Sequence, residues 1–301
     1  MLDTPGASYE DVAVADGVVW AVGYSGHRKA YPIVSTWDGA SWTTTVAPER
    51  GKHDQVVART RSEVWISGLR EGRWALHTFD GAGWTTKFRA VDFANSANPR
   101  NVWMSEGRDL IRISPDGSEN RVTVPSSMDF YGRYAVDSRG GVWLYGDDRY
   151  YRWLGQRWAQ FPSPANSSGA GIGMAASTPK DVWGVGNSIE HWDGSSWKLL
   201  PHGGEAEVMH DADALNGKAL VGGQDWGRQG GHGVIAEWNG TKWRRTVYLG
   251  TRKPAPYEIY TVEAINGVAF DQGGGRRAWA VGYGDTADNV SGVVFRGTCQ
   301  W

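Results

Sequence analysis

A single cysteine, Cys299, is all the thiol this chain carries, so no disulfide can form within it. Neither sign of charge dominates, since 31 basic against 33 acidic side chains leave a formal net charge of −2. Arg244-Arg245 and Arg276-Arg277 are isolated pairs, not a basic stripe, and no nucleic-acid partner is expected. No apolar run approaches the ~20 residues of a membrane helix, and no leader-like segment is present. The expectation is a soluble protein without a membrane partner, cytoplasmic as written and secreted if a leader has been removed. A sustained 3.6-residue period is missing as well, which excludes a helical architecture.

What the chain does have is tryptophan and glycine, 18 and 42 of its 301 residues, and they recur in a fixed pattern. One half of that pattern is a Val-Trp-x-Val-Gly strand, best seen at Val182-Trp183-Gly184-Val185-Gly186. Its centre returns at Trp20, Trp65, Trp103, Trp143, Leu220 and Trp279. The other half is an aromatic-Asp-Gly-x-x-Trp hairpin, as in Trp37 to Trp42, Phe79 to Trp84, Trp192 to Trp197 and Trp238 to Trp243. Looser copies stand at Trp153 to Trp158 and Phe295 to Trp301, and Ser114-Pro115-Asp116-Gly117 keeps the turn without the aromatics. Asp-Gly and Asn-Gly between alternating segments signal hairpins, because both residues tolerate the positive φ of a primed turn. Four short antiparallel strands repeating every ~40 residues define a propeller blade. Seven copies predict an all-β, seven-bladed β-propeller filling residues 1–301 as a single domain. The paired tryptophans read as wedges between blades, each burying ~150–250 Å². Leu2-Asp3-Thr4-Pro5 resembles the segment after the last Trp of other repeats, such as Val46-Ala47-Pro48. This predicts that the N-terminal segment completes the last blade and closes the ring.

Asp181 to Gly186 and His191 to Trp197, with their counterparts around Trp20 and Trp37, resemble the Trp-rich repeats of bacterial, especially actinobacterial, β-propeller proteins. The likeness spans nearly the whole chain and implies architecture, not a particular chemistry. The Asp-Gly-x-x-Trp element is similar to the Asp-box turn of sialidase-like propellers, although it lacks that motif's residue between Asp and Gly. No catalytic set is carried over from it.

Function is sought where the repeats differ. The connections Tyr24 to Tyr31, Gln224 to His232 and Tyr283 to Val290 are long, and they belong to repeats that become neighbours in a closed ring. Aligning Asn216-Gly217 with Asp16-Gly17 and Asn266-Gly267 places His210, Glu10 and Tyr260 in one column and Asp211, Asp11 and Thr261 in the next. His53-Asp54 takes the same place in repeat two, whereas Gly171 to Met174 of repeat five has no ionisable side chain. Strand alternation lets only one of each adjacent pair point into the channel.

The predicted site is therefore the mouth of the central channel over blades six, seven, one and two. His53, His210, Glu10 and Tyr260 are the candidate proton-transfer groups, since burial and a nearby carboxylate tune imidazoles toward neutral pH. Asp11, Asp54, Asp211, His27, Trp226, Arg228, His232, Tyr283 and Asp285 are the candidate ligand-binding residues. His77 and His191, on third strands, read as structural. Such a site suits a lyase, isomerase, cyclase or hydrolase without an organic cofactor; a divalent metal is compatible with His, Glu and Asp, but no ligand spacing marks one. A monomer that takes a small-molecule or saccharide ligand is expected. Non-catalytic recognition of a glycan, peptide or metabolite at the same mouth stays open beside it.

Overall fold

The computed structural model describes residues 2–26, 29–96, 100–126, 128, 134–200, 207–226, 232–247, 259–271, 277–286 and 290–299. At 3, 95–96, 245–247, 259–261 and 285–286 it describes the backbone alone. The described residues contain strands and turns and no α-helix, in seven sheets arranged as the blades of a propeller. No helix is long and apolar enough to cross a membrane among them.

Each blade runs outward from an inner strand at the channel. Blade 1 is Ala7–Ala15, Val18–Ser25, Tyr31–Trp37 and Trp42–Val46, and blade 2 is Gly51–Thr60, Glu63–Arg70, Arg73–Phe79 and Trp84–Lys87. Blades 3 to 5 have shorter inner strands, at Asp92–Phe93, Tyr134–Val136 and Gly173–Thr178. Blade 6 begins with Glu207–Leu215 and Lys218–Asp225, then continues with His232–Trp238 and Trp243–Val247. Blade 7 is Ile259–Phe270, Arg277–Thr286 and Val290–Thr298, and its fourth strand is Leu2–Pro5, paired antiparallel from Leu2 with Val294 to Pro5 with Ser291. The two ends of the chain thus close the ring, as the sequence predicts.

The tryptophans work as inter-blade wedges with one repeated geometry. The aromatic pair of each well-formed hairpin holds the Val-Trp-strand tryptophan of the preceding blade: Phe79 and Trp84 around Trp20, Trp192 and Trp197 around Trp143, Trp238 and Trp243 around Trp183, Trp37 and Trp42 around Trp279. In every case the second ring of the pair meets its target nearly edge-on, at 79–83°. This puts the positive ring edge against the negative face. The hairpin between the two aromatics is not the primed turn expected. Asp38 Oδ1 accepts the amides of Ala40 and Ser41, both at 2.8 Å, and only Gly39 has positive φ. Asp80, Asp193 and Asn239 repeat this side-chain capping. Primed-turn geometry belongs instead to the inner hairpins, where Asp16-Gly17 and Asn216-Gly217 have both residues at positive φ.

Trp183 is fully buried and its Nε1 donates to Asp181 at 2.9 Å. Trp183→Ala should therefore destabilise the protein by about 3–5 kcal/mol, as large-to-small changes of buried aromatics do. Urea unfolding monitored by tryptophan fluorescence measures it.

Candidate functional site

The inner strands of four consecutive blades share a defect that the other three lack at this place among the described residues. Pairing with the second strand slips by one residue between Met209 and Asp211 in blade 6, Ile265 and Gly267 in blade 7, Tyr9 and Asp11 in blade 1, and His53 and Gln55 in blade 2. Each slip is a β-bulge that leaves one residue outside the ladder and re-aims its side chain. Those residues are His210, Asn266, Glu10 and Asp54.

In these four blades the bulge needs the glycine that ends the second-strand motif. A Cβ on Gly223, Gly282, Gly23 or Gly68 would lie 2.2, 1.9, 2.0 or 2.1 Å from the carbonyl oxygen of Val208, Ala264, Ser8 or Lys52. The extra residue pushes the inner strand's backbone against its partner, and only glycine leaves room.

This register corrects the sequence alignment in two repeats. In blade 7, Asn266-Gly267 is no turn: the strand runs on to Phe270, opposite Ala278, and Gly267 lies where a Cβ would approach the Asp11 Cα to 2.8 Å. The column member there is Asn266. Tyr260 sits six residues earlier, at a separate slip, and its side chain lies outside the described residues, as does that of Thr261. In blade 2 the column member is Asp54, while His53 shares the place of Tyr9 and Met209, opposite the glycine. His53 is buried between blades 1 and 2; its Nδ1 donates to the Ile33 carbonyl at 3.3 Å, and its ring stands edge-on to His77 at 5.2 Å. Burial above all, then the neighbouring His77, pushes its pKa down to about 4.

At the mouth, His210 is partly buried. Burial lowers its pKa, opposed by hydrogen bonds to the Asn266 side chain and the Ile265 backbone. Asn266 also donates Nδ2 to the Tyr9 carbonyl at 2.9 Å, so one amide ties the imidazole of blade 6 to the backbone of blade 1. Glu10 accepts from Ser8 Oγ at 2.9 Å. Its pKa is raised, chiefly by burial, with Ser8 and Lys52 pulling the other way and Asp54 adding to the rise. Asp54 Oδ1 meets Lys52 Nζ at 2.6 Å.

The second column does different work. Asp211 Oδ2 accepts from Val268 N at 2.9 Å, Asp11 Oδ2 from Val56 N at 2.8 Å, and Gln55 Oε1 from Phe93 N at 2.8 Å. Each side chain caps the inner strand of the next blade. Further along the same strands lies a cavity of about 660 Å³ lined by Asp11, Gln55, Asp211 and Asp213, by Asp16, Arg59 and Asp271 toward the far end, and by apolar residues between; the bulge residues are not part of its lining.

Of the other candidates, His232 is buried opposite Asp225, which in turn faces Glu207 across the sheet. Nδ1 of His232 has no hydrogen-bond partner among the described residues. Glu207 is missing from the sequence-derived set, although its place at the head of the inner strand of repeat six is where an acidic side chain would have drawn notice. Trp226 is 59% exposed. Tyr283 is half-buried opposite Ala264. His27 and Arg228 lie outside the described residues, and Asp285 is described by its backbone alone. His77 is held by Thr86 Oγ1 at 2.9 Å, and His191 by Asp181 at 2.9 Å beneath the stacked Trp183. Among the described residues no group of three or more His, Cys, Asp or Glu side chains is placed to hold a metal ion.

Fold and register define a seven-bladed β-propeller. Among solved structures, virginiamycin B lyase from Staphylococcus aureus is similar over 99% of both chains at 16% identity, with a TM-score of 0.64. A catalytically inactive His-to-Ala variant of that lyase with quinupristin is similar at 16% identity and a TM-score of 0.63, over 98% of this chain and 96% of that one. YCF48 bound to D1 peptide matches the chain over 98% of its length and 93% of its own, at 15% identity and a TM-score of 0.59. Likeness at this identity shows the fold. No family model and no curated protein matches the sequence.

Two measurements check the electrostatics. In the unfolded chain His53 protonates near 6.5, and in the fold near 4. The stability it lends is thus complete above pH 6.5 and lost as pH falls toward 4, a loss of about 3 kcal/mol at ~1.4 kcal/mol per pH unit. Urea midpoints should fall across that window, and His53→Gln should flatten the slope, with His77 supplying the remainder. Asn266→Ala removes a bond that favours the imidazolium, so the His210 pKa should drop further in an NMR titration.

Proposed function

We propose that the mouth over blades 6, 7, 1 and 2 binds one small molecule and moves a proton on it. The observation that supports this reading is the run of four bulges, which leaves His210, Asn266, Glu10 and Asp54 outside the ladder at matching places of four consecutive blades.

His210 is the proton acceptor in this scheme. Its lowered pKa keeps the ring neutral at pH 7, and Asn266 fixes its orientation while leaving it partly exposed. Glu10, held above the usual carboxylate range by burial, returns a proton to the departing or rearranged group. A base and an acid poised toward neutrality at one mouth suit an elimination, and more broadly an isomerisation, cyclisation or hydrolysis. The likeness to virginiamycin B lyase favours elimination among these. Trp226 and Tyr283 offer a stacking face at the rim, and His232 a further polar contact. The exposure of Trp226, with the peptide-bound propeller among similar structures, supports the second reading, non-catalytic recognition of a peptide, glycan or metabolite.

The test is turnover, monitored by mass spectrometry, of a panel of small molecules bearing an acidic C–H beside a carbonyl and a leaving group, with quinupristin included. His210→Ala should lower kcat/KM for any converted member by ~10²–10⁴ and Glu10→Gln by a similar factor, both variants keeping the circular dichroism of the parent. The acid limb of the rate profile should fall below the ordinary histidine pKa, in the direction burial shifts His210. Full turnover by His210→Ala refutes the assignment. Tight binding of panel members with no conversion by the parent protein establishes the recognition reading.

A further inference from the structure

The outer strands form the rim of the ring, and among the described residues each ends its sheet with one edge open. An open strand edge is a template for another strand, and charge or proline on it blunts that hazard. The outer strands of blades 2, 3, 5, 6 and 7 each carry at least one charged residue, such as Lys87 and Arg244, and that of blade 4 ends on Pro162. Blade 1 is different. Its outer strand, Trp42–Val46, reads Trp-Thr-Thr-Thr-Val, with neither charge nor proline, and residues 43–46 are exposed.

The register fixes which of its backbone groups face outward. Ala47 N donates to the Pro32 carbonyl at 2.8 Å and Asp38 N to the Ser41 carbonyl at 3.2 Å, so the odd-numbered residues of this strand bond inward to Tyr31–Trp37. Antiparallel pairing alternates, which leaves the N–H and C=O of Trp42, Thr44 and Val46 pointing away from the sheet. A second copy turned about a two-fold axis through Thr44 meets all three at once. Thr44 then exchanges both bonds with its own counterpart, and Trp42 with the second copy's Val46, giving about six N–H···O=C bonds along ~17 Å.

The side chains suit the same axis. Thr44 falls opposite Thr44, Trp42 opposite Val46 and Thr43 opposite Thr45, pairs of β-branched and aromatic residues that favour cross-strand contact. No like charges meet. Carried beyond the strand, the register sets the exposed Arg50 of one copy toward the exposed Asp38 of the other, at both ends of the seam. A foreign peptide would have to bring this complementarity with it; a second copy has it already.

We propose that the protein forms a two-fold dimer in which the Trp42–Val46 strands of two copies pair antiparallel about Thr44. A strand edge buries less than the ~1,600 Å² of a standard interface, so the dimer is weak and forms at high concentration. It takes the place of the monomer expected from the sequence and does not depend on the role given to His210.

Sedimentation velocity up to ~1 mM should show the weight-average mass rising toward twice the 33.0 kDa of the chain. Over the same range the amides of Trp42, Thr44 and Val46 should exchange at least threefold more slowly. Thr44→Lys and Thr44→Glu each set like charges across the axis, and both variants should stay at monomer mass with the circular dichroism of the parent. Mixed in equal amounts, they bring opposite charges together and should associate again. Thr85→Lys, a matching change on the exposed outer strand of blade 2, should leave association as in the parent. A mass that stays constant with concentration, unchanged association of Thr44→Lys, or no recovery in the mixture overturns the dimer. Equal protection of the three amides at every concentration means that something other than a second copy covers the edge, and overturns it too. Should the variants at position 44 fail to fold, the concentration dependence of those amides in the parent decides alone.

Discussion

A propeller leaves one edge of its inner strands facing the channel, and here only blade 4, among the described residues, has a fifth strand on that edge, Asn95–Ser96 beside Tyr134–Val136. An open edge of this kind must be capped, hydrated or hidden. Here the capping comes from the neighbouring blade. Asp211 and Asp213 bond the amides of Val268 and Phe270, Asn266 bonds the Tyr9 carbonyl, Asp11 bonds Val56 N, and Gln55 bonds Phe93 N. These contacts run in one direction from blade 6 through 7, 1 and 2 to 3. They form a belt of side-chain-to-backbone bonds that sets the height of each inner strand against the next.

The belt and the mouth depend on the same register. A bulge at His210, Asn266, Glu10 or Asp54 is what brings the next residue along, such as Asp211, Asp11 or Gln55, to the height of its neighbour's amide. Removing the extra residue would return the bulge side chain to the ladder and draw the cap away from its partner. Structure and polar mouth are therefore two results of one backbone feature. This explains why carboxylates that look like ligand-binding groups in the sequence, Asp11 and Asp211, are occupied in holding the ring.

The architecture was legible because its signals are local. Trp37 and Trp42, or Trp192 and Trp197, announce their hairpin within six residues, and the wedge geometry results from burying large flat rings between blades. The arc of polar columns was legible too, since it needs only the order of the repeats. The register within it was not. Asn266-Gly267 has the composition of a turn and lies inside a strand, because three slips lengthen the inner strand of blade 7 and Gly267 is needed where Asp11 of the next blade comes close. In repeat two, a shift of one residue exchanged His53 for Asp54. The glycine of the Val-Trp-x-Val-Gly motif does not betray the bulge, because Gly146 and Gly186 occupy the same place in repeats four and five without it. A bulge depends on pairing between strands, and composition along one strand does not report it.

His53 and His210 show how far one residue of register carries. Burial pushes both imidazoles toward the neutral form. For His53 the surroundings are a backbone carbonyl and a second imidazole inside an inter-blade seam, so neutrality serves packing, and its protonation opposes the fold. His210, one place further along its strand, sits on a bulge beside the Asn266 amide, and in the proposed scheme its neutrality leaves it able to act as a base. The same desolvation acts on Glu10 in the opposite sense and raises its pKa, because there the charged form is the deprotonated one. An imidazole made harder to protonate and a carboxylate made easier to protonate approach each other in proton affinity. In the proposed scheme that convergence leaves one base and one acid on the same ring, each set by the burial of its own side chain.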